Sequence, residues 1–138
     1  MIGAVQHHLA PMDLSTLITL RRIAEEAGTV IMEVYRGDFT HERKADQSPV
    51  TEADLLADAL IRRELGLAFP GVPVWSEESD EPPVSPVPTW SAFFLVDPLD
   101  GTKEFLKRNG EFTVNIAWIE GGVALGGVIH APALGTTW

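Results

Sequence analysis

Leu17, Leu20, Ala24, Ala27, Ile31 and Val34 recur at alternating three- and four-residue steps, the spacing of one apolar helix face. A strand cannot use that spacing, so a helix is predicted from about 14 to 36. Asp13 is its N-cap, and Arg36 and Gly37 mark its end. Gly28 inside it costs about 1 kcal/mol relative to alanine, so close packing is expected there. T-E-A-D at 51–54 has the form of a capping box. With Leu55, Ala59, Ile61 and Leu65 it predicts a second helix from Thr51 to about 68. Beyond that point the pattern changes to strands: Val74-Trp75, Phe93–Val96, Thr113–Ile119 and Val123–Ile129, the last two around Glu120-Gly121-Gly122. Residues 101–108 are expected to form a short helix and 38–50 a short strand or hairpin. The proline-rich stretch 80–89 is expected to be a loop. Helices first and strands after predict an α+β domain, with helices packed on a largely antiparallel sheet. Residues 1–12 are expected to be a flexible leader and 13–138 the domain. "HAPALGTTW" resembles no finished C-terminal element.

The 138 residues carry 10 basic and 20 acidic side chains, a net charge of −10. Such a surface repels polyanions and argues against general nucleic-acid binding, though not against a small phosphorylated substrate beside a cation. Cysteine is absent, which excludes disulfides, thiolate catalysis and cysteine-ligated zinc. No segment has the roughly 18 apolar residues of a membrane span, and no secretory signal is recognised, so a soluble cytoplasmic protein is expected. His7 and His8 are expected to be solvated.

The chemistry is concentrated at 95–105, "LVDPLDGTKEF". An apolar strand runs into Asp97 and Asp100 with nothing basic until Lys103. D-P-L-D-G alone is compatible with a plain turn. Carboxylates at a buried strand end, however, repel and lose hydration, so they call for a cation or donors. Glu77 and Glu78 end another predicted strand, and Asp54 lies in the first turn of a predicted helix. Three elements can thus bring carboxylates to one sheet edge. Oxygen-only ligands suit Mg²⁺, a natural partner of phosphate. Gly101 permits close backbone approach, and the amides of Gly101 and Thr102 at a helix start can hold phosphate oxygens. An EF-hand fails on spacing, since Val96 would occupy its first ligand position. A P-loop fails because G-x-x-x-x-G-K-S/T does not occur.

"SPVTEAD", "WSEES" and "LVDPLDGTKEF", in that order, resemble the lithium-sensitive, Mg²⁺-dependent phosphatases of the inositol monophosphatase superfamily over about residues 13–135. Within it, "DPLDGTKEFLKRNGEFTVNIAWIEGG" is most similar to the CysQ type, the 3'(2'),5'-bisphosphate nucleotidases. Lys103-Glu104 stands where inositol monophosphatases usually have T-N. The resemblance implies hydrolysis of adenosine 3',5'-bisphosphate to AMP and phosphate, a step that supports sulfate assimilation. It implies Glu77, Asp97, Asp100 and the Leu99 carbonyl as metal ligands. Asp54 would lie near a more weakly held metal and the attacking water. Thr102 would orient that water, with Glu78 as an assisting acid. Gly101, Thr102 and Lys103 would meet the substrate phosphate. Lys44 matches a lysine of the family's mobile loop, and Lys103, Lys107 and Arg108 can attract a second phosphate.

The family's W-D-x-A-type motif, which carries a further aspartate ligand, does not occur in these residues. The expectation is therefore the N-terminal half of a five-layer αβαβα fold, without the C-terminal α/β domain. An inositol or other sugar phosphatase remains a neighbouring possibility. A non-catalytic metal-binding or self-associating module is one of a different class.

Overall fold

The computed structural model describes residues 12–37, 49–77 and 90–138, without the Pro49 side chain. The first helix, α1, spans Leu14–Arg36. Asp13 caps it, its Oδ1 accepting from the Thr16 amide at 2.8 Å. Gly37 ends it, donating to the Glu33 and Val34 carbonyls. Its buried face is Leu20, Ile23, Ala24, Ala27, Gly28, Ile31, Met32 and Val34.

The second helix, α2, spans Pro49–Ala68. It starts two residues before Thr51, so Thr51 lies inside the helix and not at the N-cap position expected for it. Proline is well suited to the first helical turn, where its missing N–H has no partner to lose. The buried stripe is Ala53, Ala57, Ile61 and Leu65 at four-residue steps. Of the residues that supported this helix in the sequence, Ile61 and Leu65 are buried, while Leu55 and Ala59 are exposed.

Five strands follow in the spatial order β1 to β5: β1 Val74–Ser76, β2 Ala92–Asp100, β3 Thr113–Glu120, β4 Val123–Ala131 and β5 Thr136–Thr137. The sheet is mixed rather than wholly antiparallel, because β1 runs parallel to β2. The chain also does not trail off after β4. A turn over 132–135 returns it as β5, with backbone bonds between Ile129 and Trp138 in both directions at 2.9 Å. A short helix, α3, spans Thr102–Lys107 between β2 and β3.

One sheet face follows a period of two: Phe94 and Val96, then Val114, Ile116 and Trp118, then Val128 and His130 are buried. Register aligns Phe94 with Trp118 and Val96 with Ile116, and Ile116 with Val128. Helices α1 and α2 pack on this face, α1 over β3 and β4 and α2 over β2. The described residues thus form two layers around one core, an α+β arrangement. Met12, placed in the leader by sequence, packs against this core. Residues 1–11, and 38–48 with the expected hairpin, lie outside the described residues, as does the loop at 80–89.

Candidate functional site

Strand β2 runs through the aspartate motif instead of stopping before it. Asp97 pairs with Asn115, and Asp100 pairs with Thr113. Three steps along β2 therefore match two along β3, which is a β-bulge. Pro98 lies within it and has no amide to give the ladder. In an unbroken strand, residues three apart point to opposite faces. Here the extra residue restores the phase, so Asp97 and Asp100 share the face of Asn115 and Thr113. Pro98 and Leu99 are buried instead. The plain-turn alternative for D-P-L-D-G is thereby excluded.

Glu77 joins this face from β1. The parallel register Ser76↔Val96 places Glu77 beside Asp97 one step on, and the Glu77 amide donates to the Val96 carbonyl at 3.1 Å. Burial pushes the Asp97 carboxyl up to about 6, with the Glu77 and Asp100 charges adding to the effect. A shared proton between the Asp97 and Glu77 carboxyls raises it further, and the Leu99 amide, donating to Asp97 Oδ1 at 3.3 Å, opposes the rise. Asp100 accepts from Asn115 Nδ2 at 3.3 Å, and Asn115 Oδ1 accepts from Thr113 Oγ1 at 3.1 Å. Asp100 itself is exposed, not at the buried edge expected for it.

Gly101 turns the chain out of β2 at φ +95° and serves as N-cap of α3. A Cβ there would lie 2.8 Å from the Glu111 carbonyl oxygen, so glycine is needed for both space and conformation. Thr102 and Lys103, the first residues of α3, are exposed. Six residues are too few to hold a helix alone. Buried Phe105 anchors α3, its ring 5.3 Å from Tyr35 and 5.2 Å from Phe112. Arg108 donates to the Tyr35 carbonyl at 2.7 Å and lies 5.2 Å over the Tyr35 ring. Its guanidinium is thus engaged with the end of α1.

Asp54 is 6% exposed and sits in the second turn of α2, since that helix begins early. Glu78 and Lys44 lie outside the described residues. The structure therefore brings together Glu77, Asp97 and Asp100, with Gly101 and Thr102 following directly. Among the described residues, no three His, Asp or Glu side chains close into a metal-holding cage. The donor set still fits a hard cation: acid oxygens crowd one face, and burial with the Glu77 and Asp100 charges disfavours the ionised Asp97 until a countercharge arrives. Asn115 and Thr113 were not singled out from sequence. Their only signal is the cross-strand register, which depends on the bulge.

The family model "Inositol monophosphatase family" matches residues 13–138. The chain is 52% identical over 116 residues to the 3'(2'),5'-bisphosphate nucleotidase CysQ of Salmonella typhimurium, covering 82% of this chain and 46% of that protein. It is 50% identical over 115 residues to CysQ of Escherichia coli K12, with the same coverage. Among solved structures, CysQ from Bacteroides thetaiotaomicron superposes with a TM-score of 0.73 at 41% identity, over 86% of this chain and 42% of that one. The chain thus spans about half the length of the curated relatives it matches. With the match running across both helices, the bulged aspartate strand and the rest of the sheet, the chain belongs to the inositol monophosphatase family.

Proposed function

We propose that these residues supply the carboxylate half of a Mg²⁺-dependent phosphomonoesterase site, of the 3'(2'),5'-bisphosphate nucleotidase type. The observation that carries this reading is the crowding of Asp97 with Glu77 and Asp100 on one sheet face. Glu77, Asp97, Asp100 and the Leu99 carbonyl would hold the cation. When bound, Mg²⁺ supplies charge neutralisation for the phosphoryl group and an acidified water. The remaining work falls to the chain itself. Gly101 lets a phosphoryl oxygen approach the backbone, with Thr102 and Lys103 beside it. The Thr102 hydroxyl and Asp54 orient the attacking water, and Glu78 assists as an acid. Attack is in line, with water as the nucleophile and no phosphoenzyme. The substrate is adenosine 3',5'-bisphosphate, by likeness to the two CysQ relatives and with Lys103-Glu104 after the D-G-T.

Phosphate release from adenosine 3',5'-bisphosphate and from inositol 1-phosphate, with Mg²⁺, tests the assignment. Asp100→Asn is the control. Faster release from the nucleotide, abolished by the substitution, is expected of a protein containing the whole site. Faster turnover of inositol 1-phosphate would move the assignment to a sugar phosphatase.

A second reading, self-association, is favoured by apolar exposure. Leu95 is 37% and Ile129 47% exposed, on the sheet face opposite α1 and α2. Sedimentation showing a clean monomer of these 138 residues would count against it.

A further inference from the structure

On the sheet face opposite the acidic cluster, a chain of contacts ties β5 to α1. His130, on β4, is 7% exposed. Its Nδ1 lies 2.8 Å from Thr137 Oγ1 on β5. Thr137 Oγ1 donates to Glu25 Oε1 on α1 at 3.2 Å. Glu25 is held in turn by Arg21 Nε at 2.9 Å.

The proton's position follows from these bonds. A threonine hydroxyl has one hydrogen, and here it goes to Glu25. Toward His130 the hydroxyl can then only accept, so the neutral imidazole carries its proton on Nδ1. Nε2 is left without a proton and faces α1 at Gly28, where an added Cβ would stand 2.8 Å away. The order of groups is not that of a nucleophilic triad. There the imidazole sits between hydroxyl and carboxylate, whereas here the hydroxyl is in the middle.

We infer that His130, Thr137 and Glu25 form a proton-sensitive latch that fastens β5 to α1 and opens when the imidazole becomes a cation. The residue is almost wholly buried, and a second N–H would face the helix at Gly28 and not open water. Among the described residues, the charged groups that face it come from α1: Glu25 and its partner Arg21. Val114 of β3, Thr137 of β5 and Pro132 of the turn do not titrate. Burial is the largest influence on His130 and pushes its pKa below the ordinary 6.5, against smaller opposing pulls from Glu25 and from a hydrogen bond to the Thr136 backbone. The folded protein thus resists a proton that the unfolded chain takes up. The latch is fully closed above pH 6.5, and its contribution is lost as pH falls below that value. Opening would release the Ile129–Trp138 backbone bonds and leave the β4 edge unpaired.

Amide hydrogen exchange on the 138-residue chain, corrected for intrinsic rates from about pH 7.5 to about pH 5, tests this. His130 ring resonances would be followed in parallel. Protection at Ile129 and Trp138 is expected to fall several-fold as His130 titrates, while Ile116, at the sheet centre, holds. In His130→Phe that pH step should vanish. In Thr137→Val, which keeps the ring and the residue's shape, both amides should be loosened already at neutral pH. Unchanged protection in the parent chain, a step that persists in His130→Phe, or parent-like behaviour of Thr137→Val would each overturn the latch.

Discussion

Asp97 and Asp100 lie three residues apart on β2 yet face the same side of the sheet, because the strand spends one extra residue between Asn115 and Thr113. The bulge converts an odd spacing into an even one. Without it, one carboxylate would point into the core beneath α2, where an unpaired charge costs several kcal/mol. The same extra residue lets Pro98 and Leu99 turn inward and frees the Leu99 carbonyl region from regular pairing.

Asp100→Asn keeps the size of the side chain and its neighbour Asn115, so the fold is expected to survive. Mg²⁺ affinity should fall by at least about tenfold, since even the partners of metal ligands cost that much when changed. Titration calorimetry of both forms measures it. Equal affinities would remove Asp100 from the cation site.

Asp97→Asn is expected to do something different to the metal-free chain. The Asp97 carboxyl is raised from 3.8 to about 6 in the folded state. Between those values the folded protein keeps a proton that the unfolded chain has lost. The acid therefore weakens folding as pH rises through that window, and fully above it. The group is half-buried, so after screening the variant should gain on the order of 1 kcal/mol at neutral pH. The gain should shrink as pH falls through about 4 and disappear below about pH 3, where the carboxyl is protonated in both states. Urea denaturation at the two pH values checks it, and no gain at neutral pH would mean that the crowding is relieved within the chain.

Gly101→Ala meets backbone, not a movable side chain. Its Cβ would stand 2.8 Å from the Glu111 oxygen at φ +95°. A loss of about 2 kcal/mol or more is expected, with α3 amides losing protection before the sheet does. A variant as stable as the parent would show that the turn can rearrange, and would weaken the case for a fixed Thr102.

How much of this was legible depends on the range of the interaction. Helix α1 was readable because its cap and its apolar face are both local. The start of α2 was misjudged because Pro49 opens the helix two residues before Thr51. Leu55 and Ala59 lie off its buried stripe because packing on the sheet selects the face of Ala53, Ala57, Ile61 and Leu65. The motif strings carried the family and pointed to Asp97, Asp100 and Glu77. They could not show that β2 continues through them, because the bulge exists only against β3. Arg108 looked like a free base for the same reason, since its partner Tyr35 lies 73 residues away.

Gly28→Ala isolates one such long-range contact. In a solvent-exposed helix the change would stabilise by about 1 kcal/mol. Here the new methyl would stand 2.7 Å from His130 Cδ2 and 3.0 Å from Pro132 Cβ. The imidazole cannot swing aside without giving up Thr137, and overpacking of this kind costs about 1–3 kcal/mol. A net loss is therefore expected. In a His130→Ala background the methyl has room, and the same change should become neutral or stabilising. Urea denaturation of the four proteins gives a coupling of about 1 kcal/mol or more if the two residues meet as described. Additive effects would mean that α1 and β4 separate enough to admit the methyl without involving the ring.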